Sequence, residues 1–293
     1  MMLRTVMRAL LMSGALLTAA PVTAQSPTPV VIGQSYALPS AVMGAARELN
    51  VWLPPGYEGG AARYPVLYVL DGGQGQDFHH ISGLAQLGTV NGTTRDVIVV
   101  GIASVDRRNE LALATGNAEL IARYPTQGHS DRFRRFIAEE VQPFIDERFR
   151  TNGETALMGE SLAGLFVVET FLRQPQMFDR YIAISPSLWW DSRSLSKAAP
   201  ALLARHDGGE RTLWLTIAAE PGTMQDGMDR LVAALRSSAP SGLKWSYAPR
   251  PNETHASIYH GAALDALRSL YGIDTHYDVP ESVWWLREPP QPQ

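Results

Sequence analysis

Gly159-Glu160-Ser161-Leu162-Ala163-Gly164 follows the short apolar run Ala156-Leu157-Met158 and precedes a helical pattern that begins at Leu165 and Phe166. A serine at a strand-to-helix turn is forced into a strained conformation that lifts its hydroxyl above the sheet. Small residues two places before and after it let strand and helix pass closely. Gly159 and Ala163 hold those places, with Gly164 one step beyond the usual position of the last glycine. The helix after Ser161 aims its first amides, that of Leu162 above all, where an oxyanion would form. A serine in an ordinary helix-capping turn is the plain alternative; the strand before and helix after favour a nucleophile.

Serine is a weak nucleophile and needs a base. Of seven histidines, His255 lies in Asn252-Glu253-Thr254-His255-Ala256-Ser257, after the last strand pattern (244–248) and before the final helical one. That is the base's place in the chain order nucleophile, acid, base. His79 and His80 stand just past another candidate loop, whereas His129, His206, His260 and His276 have no motif around them. A carboxylate between serine and histidine, at a strand end, would hold the imidazole tautomer. Glu220 closes the run Leu213 to Ala219; Asp226 is the second choice, Glu253 a local alternative, and a dyad without an acid stays open. A second oxyanion donor is expected from the loop Leu70-Asp71-Gly72-Gly73-Gln74, with Gly73 the first choice, although the same glycines suit a tight turn. His79-His80 with Asp77 is too loose a set for zinc, and neither a phosphate loop nor a dinucleotide fingerprint is present, so no metal and no cofactor is expected.

These residues need a scaffold. Val66–Leu70, Val97–Val100, Ala156–Met158, Tyr181–Ile184 and Leu213–Ile217 are apolar on both faces, as interior strands of a mostly parallel sheet are. Between them lie helical periods: Phe133, Phe136, Ile137, Val141, Phe144, Ile145 and Phe149, with Ser130 placed to cap and Pro143 predicting a kink; then Leu165 to Leu172, Met228 to Leu235, and Ala263 to Leu270. The alternation argues a single α/β domain with a doubly wound, mostly parallel sheet, and Glu48–Leu53 as an earlier strand of undetermined direction.

Composition narrows the function. The chain has 293 residues, 45% hydrophobic and 18% charged, with a net charge of −4 and no cysteine. It can bury a large core, lacks the basic footprint of a nucleic-acid binder, and excludes thiolate chemistry. Arg4 and Arg8, an interrupted apolar run and Ala24 read as a signal peptide over residues 1–24, too short and broken for a membrane span. A periplasmic or secreted domain over 25–277 and a proline-rich tail over 278–293 follow.

Tyr68-Val69-Leu70-Asp71-Gly72, Phe136-Ile137, Val141-Gln142-Pro143-Phe144-Ile145, the elbow through Phe166, Ser185-Pro186-Ser187-Leu188-Trp189-Trp190 and Thr254-His255-Ala256-Ser257 together resemble one family over about residues 45–272. It is the putative-esterase family of α/β hydrolases, in the branch related to siderophore (enterobactin-type trilactone) esterases. The resemblance implies the α/β-hydrolase fold, Ser161 as nucleophile, His255 as base, Glu220 as acid, and the Gly73 and Leu162 amides as oxyanion hole. Some relatives are thought to work with serine and histidine alone. Glu160 departs from the commonest elbow, where relatives often carry histidine or another polar residue. Trp189 and Trp190, just past a strand, are placed to wall a binding cleft, or else to pack. The expectation is an exported serine carboxylesterase acting on a small-molecule ester, of siderophore or aromatic type. Acyl transfer to an alcohol and a catalytically silent binding protein are its rivals.

Overall fold

The computed structural model describes residues 27–273; the expected leader (1–24), the tail (278–293) and His276 lie outside the described residues. Residues 27–31 hold no helix or strand, and residues 32–273 form one compact unit.

The strands are β1 (Gln34–Leu38), β2 (Arg47–Trp52), β3 (Tyr64–Leu70), β4 (Ile98–Ile102), β5 (Thr151–Glu160), β6 (Arg180–Ile184), β7 (Arg211–Thr216) and β8 (Leu243–Tyr247). They form one sheet in the order β1-β2-β4-β3-β5-β6-β7-β8. β1 and β2 are antiparallel, β2 is antiparallel to β4, and every pair from β4 to β8 is parallel. The direction left open for residues 48–53 is therefore antiparallel. β1 carries no apolar alternation and lies on the edge with an exposed pattern, which is why the sequence does not announce it.

The helices are α1 (Phe78–Val90), α2 (Arg107–Leu111), α3 (Ala118–Arg123), α4 (Ser130–Phe136), α5 (Gln142–Arg148), α6 (Leu162–Arg173), α7 (Trp190–Leu203), α8 (Thr223–Ser238) and α9 (Ile258–Tyr271). Strand side chains alternate between two cores. Leu67 and Val69 face α1 and α9, with Ile81, Ile258 and Ala262, whereas Val66, Tyr68 and Leu70 face the opposite core, with Phe133, Phe166 and Leu231 from α4, α6 and α8. Covering both faces explains why the strand sequences are continuously apolar. Among the described residues no helix is long and apolar enough to cross a membrane.

Two local expectations change. Pro143 sits in the first turn of α5, and the irregularity falls just before it as a π-helical turn over Ile137–Val141. Ser130 is the first residue of α4 and makes no cap; its hydroxyl donates instead to buried Glu169 of α6 at 2.7 Å, where Arg134 and Arg173 also pair. A buried carboxylate needs several donors, so its demand outweighs a cap at the surface.

Candidate active site

β5 ends at Glu160, and Ser161 turns the chain into α6 with φ 61° and ψ −117°. The positive φ is costly for a residue with a side chain and persists because neighbours fix it. The Ser161 amide donates to Ile184 O at 3.0 Å, and the Ser161 carbonyl accepts from the Leu165 and Ser187 amides at 3.0 and 2.9 Å. A Cβ on Gly159 would meet the Ala163 backbone at 2.6 Å, and one on Gly164 would meet Ile184 O at 2.9 Å. The close approach to β6 thus falls on Gly164, and the Ala163 methyl is accommodated where the usual glycine stands.

The structure brings Ser161, His255 and Glu220 together. Ser161 Oγ lies 2.8 Å from His255 Nε2, and Glu220 Oε1 lies 2.5 Å from His255 Nδ1. An ionised carboxylate only accepts, so Nδ1 carries the proton and Nε2 is left to accept from the serine hydroxyl. Leu162 is the first residue of α6, where an amide has no intrahelical acceptor, and it lines the same cleft.

Other expected residues are engaged elsewhere. Asp226, in the first turn of α8, is paired with Arg193 at 3.0 Å and Arg230 at 3.1 Å, and the Arg230 bond holds its carboxyl below the usual range. Glu253 accepts from Ser257 Oγ at 2.5 Å. The Gly73 amide, expected as the second oxyanion donor, donates to Gln76 Oε1 at 2.9 Å, and Gly73 is not among the residues that line the cleft. Flanking amides are also engaged, Gly72 with Ile102 O and Gln74 with Glu48 Oε1. His79 and His80 do not line the cleft; His80 Nε2 lies 3.0 Å from His260 Nδ1.

The cleft is about 290 Å³, and beside the three residues it is walled by Arg107, Arg108, Ser187, Trp189, Trp190 and Met224. The two tryptophans differ. Trp190 is 1% exposed and its indole N–H donates to Leu113 O at 2.9 Å, so it is a packed wall more than a contact surface. Trp189 is half-buried, edge-on to Trp190, and also borders a second cleft of about 320 Å³ with Arg123, Tyr124 and Arg193. Just after them, Asp191, Ser192 and Arg193 all have positive φ (46°, 52° and 66°). Three successive left-handed residues with side chains are unfavourable. The Arg193–Asp226 pair and a hydrogen bond from Thr115 to Asp191 hold them.

Arg107 and Arg108 were not singled out from the sequence. The signal was available, because both follow β4 at the carboxyl edge of the sheet. Arg107 pairs with Asp71 at 2.8 Å, while Arg108 lies over the Tyr124 ring at 4.2 Å and makes no carboxylate pair among the described residues. Behind the serine, burial pushes the Glu160 carboxyl up to about 8; Arg107 opposes this, and Asp77, Glu220 and Asp71 add to it. Burial, with Asp71 adding and Arg107 opposing, raises Asp77 to about 6. Among the described residues no group of three or more His, Asp or Glu could hold a metal ion.

The family described as Putative esterase matches residues 40–246. The chain belongs to this esterase family. Among solved structures, this esterase resembles an IroE-like serine hydrolase from Shewanella oneidensis, with 30% identity, a TM-score of 0.73, and 82% of this chain and 80% of that one covered. It is 26% identical to the ferri-bacillibactin esterase BesA of Bacillus subtilis over 232 residues, 71% of this chain and 78% of that protein. A shorter match, 44% identical over 71 residues, joins it to a siderophore enterobactin esterase of Emericella nidulans and spans only 23% of that relative's length. The esterase family's chemistry is carboxylic-ester hydrolysis.

Proposed function

We propose that the chain hydrolyses carboxylic esters through an acyl-serine intermediate, with Ser161 as nucleophile, His255 as base and Glu220 as its orienting acid. The observation that carries this reading is the continuous chain Ser161–His255–Glu220, at 2.8 and 2.5 Å, at the head of α6. Ser161 Oγ attacks the ester carbonyl while its proton passes to His255 Nε2. The new oxyanion faces the Leu162 amide and the positive end of α6, with the Arg108 charge on the same cleft wall. Collapse breaks the C–O bond, and Nε2 gives its proton to the leaving alkoxide. Water then attacks the acyl-serine, its proton passes to Nε2, and the acid leaves as Ser161 regains its hydrogen. Glu220 keeps the imidazole in the required tautomer and balances its positive charge.

The substrate reading is a bulky aromatic or siderophore-type ester. It is supported by Trp189 standing between two clefts, by Arg108, which makes no carboxylate pair among the described residues, on the wall of the cleft that holds Ser161, and by relatives named as siderophore esterases. Fluorophosphonate labelling followed by peptide mapping tests the mechanism, with the adduct expected on Ser161. A panel of short acyl, aromatic and macrocyclic lactone esters tests the substrate, and kcat/KM is expected to be highest for the last two. Added alcohol acceptors should leave the free acid as the main product; ester products would make the protein an acyltransferase.

Export is part of the proposal and rests on residues 1–24. Mass spectrometry of the mature protein is expected to find Gln25 at the N-terminus, and an intact Met1 would remove the leader.

A further inference from the structure

The residue just before the nucleophile is Glu160, and its Oε1 lies 3.3 Å from His255 Nε2, the nitrogen that faces Ser161 Oγ. That oxygen is shielded from solvent and has no hydrogen-bond partner among the described residues. A buried acceptor without a donor, beside the atom that takes up the proton, is incomplete in the resting enzyme and is completed when Nε2 acquires a hydrogen.

The surroundings of Glu160 come from several elements. Asp71 follows β3, and Asp77 stands at the head of α1. Arg107 of α2 is bonded to Asp71 through Nε at 2.9 Å and through a terminal nitrogen at 2.8 Å. Glu220 follows β7, and Tyr259 of α9 has a shielded hydroxyl without a partner among the described residues. Burial first, and then Asp77, Asp71 and Glu160, keep the Tyr259 hydroxyl protonated well above its ordinary range. Burial first, and the neighbouring carboxyls second, hold Glu160 and Asp77 above the ordinary carboxylate range, with the Arg107 guanidinium opposing. With Glu160 neutral, its carboxyl has no charge to set against an imidazolium. With Glu160 ionised, the imidazolium formed in each half-reaction has a counter-charge at hydrogen-bond reach.

We propose that Glu160 is a positioning residue for the base, a second carboxyl on the Nε2 side of His255 whose ionised form holds the imidazolium of each transition state. The inference rests on the serine–histidine reading above. No atom is consumed: the serine proton moves to Nε2 and onward to the leaving alkoxide, while the Glu160 proton is exchanged with solvent before the cycle.

The test is kcat/KM for a soluble aryl ester from pH 6.5 to 9.5, with fluorophosphonate labelling rates over the same range, for the wild type, Glu160→Gln and Glu160→Asp. A charge-assisted hydrogen bond corresponds to roughly tenfold or more in rate. The wild type should therefore rise by about tenfold through the window centred near pH 8. Glu160→Gln should lose that rise, and Glu160→Asp should keep a weaker one. Profiles that superimpose after scaling, a fall in place of the rise, or a wild type flat through this window would each overturn the proposal, the last without any variant. If Ser161 labels normally in these cases, only the role of Glu160 fails; if wild-type Ser161 does not label at all, the serine reading itself fails.

Discussion

Glu220 Oε1 lies 2.5 Å from His255 Nδ1, on the edge of the imidazole opposite the one that meets Ser161. If this contact fixes the tautomer, Glu220→Gln should fold normally yet lose on the order of 10⁴ in turnover, since an amide can hold the wrong one. Asp226→Asn should stay within a few-fold of wild type on a short ester, because Asp226 serves Arg193 and Arg230. Retention of most activity by Glu220→Gln, measured on folded protein, would favour a Ser–His dyad.

Ser161→Ala should abolish fluorophosphonate labelling and cost roughly a millionfold in kcat, the loss found when a triad serine is removed. Near-normal hydrolysis by the folded variant would end the nucleophile assignment.

The two tryptophans should separate into a binding and a scaffold effect. Trp189→Ala is expected to lose about 1–3 kcal/mol in kcat/KM on bulky aromatic or macrocyclic esters, and less on a two-carbon acyl ester. Trp190→Ala should instead lower stability by about 3–5 kcal/mol, seen in denaturant unfolding, and reduce all esters alike. Equal fractional losses on every ester from Trp189→Ala would make it scaffold too.

Arg47 of β2 and Glu110 of α2 form a two-pronged buried ion pair at 2.8 Å, with side chains 6% and 4% exposed. Since α2 also carries Arg107 and Arg108, this pair anchors one wall of the cleft to the sheet. Glu110→Ala would leave a buried guanidinium unpaired and should destabilise by about 3–5 kcal/mol. A melting temperature unchanged by this substitution would contradict the anchoring.

Glu160 and Asp77 also set a direction for stability against pH. Both folded-state carboxyls titrate above their ordinary values, near 8 and 6. The folded protein then binds more protons than the unfolded chain, so stability falls as pH rises through each window. The contribution is fully present below about 4 and lost above about 8. Glu160→Gln should flatten the decline between pH 6 and 8, and Asp77→Asn that below 6, in melting temperatures. A wild-type stability that rises steadily from pH 5 to 9 would exclude this origin.

Ser161 and His255 were legible because each signal is local: an elbow between a strand and a helix, and a histidine in the last strand-to-helix loop. Glu220 was legible from strand-end position alone, with Asp226 not separable until its arginines are seen. Gly73 illustrates the opposite case. Its flexibility can be read from its type, but the capture of its amide by the Gln76 side chain is a matter of one rotamer and leaves no pattern in the sequence. Ser130 failed in the same way, since the partner that outweighs a cap, Glu169, is 39 residues away. Glu160 stood in plain sight in the elbow, but its proximity to Nε2 depends on where the His255 loop comes to rest.

The carboxyl edge that assembles this site has a kinetic consequence. Ser161 and His255 are 94 residues apart in sequence, and Glu220 and His255 are 35 apart. Closing such loops costs entropy before any contact repays it, so parallel sheets of this order fold slowly. During synthesis the elbow emerges well before its base, and a chain stopped at β7 holds the serine without the imidazole. On the proposed serine–histidine mechanism, activity reports completion of the C-terminal third, and the appearance of fluorophosphonate reactivity during refolding would be a clock for docking of β8 and α9 onto the sheet.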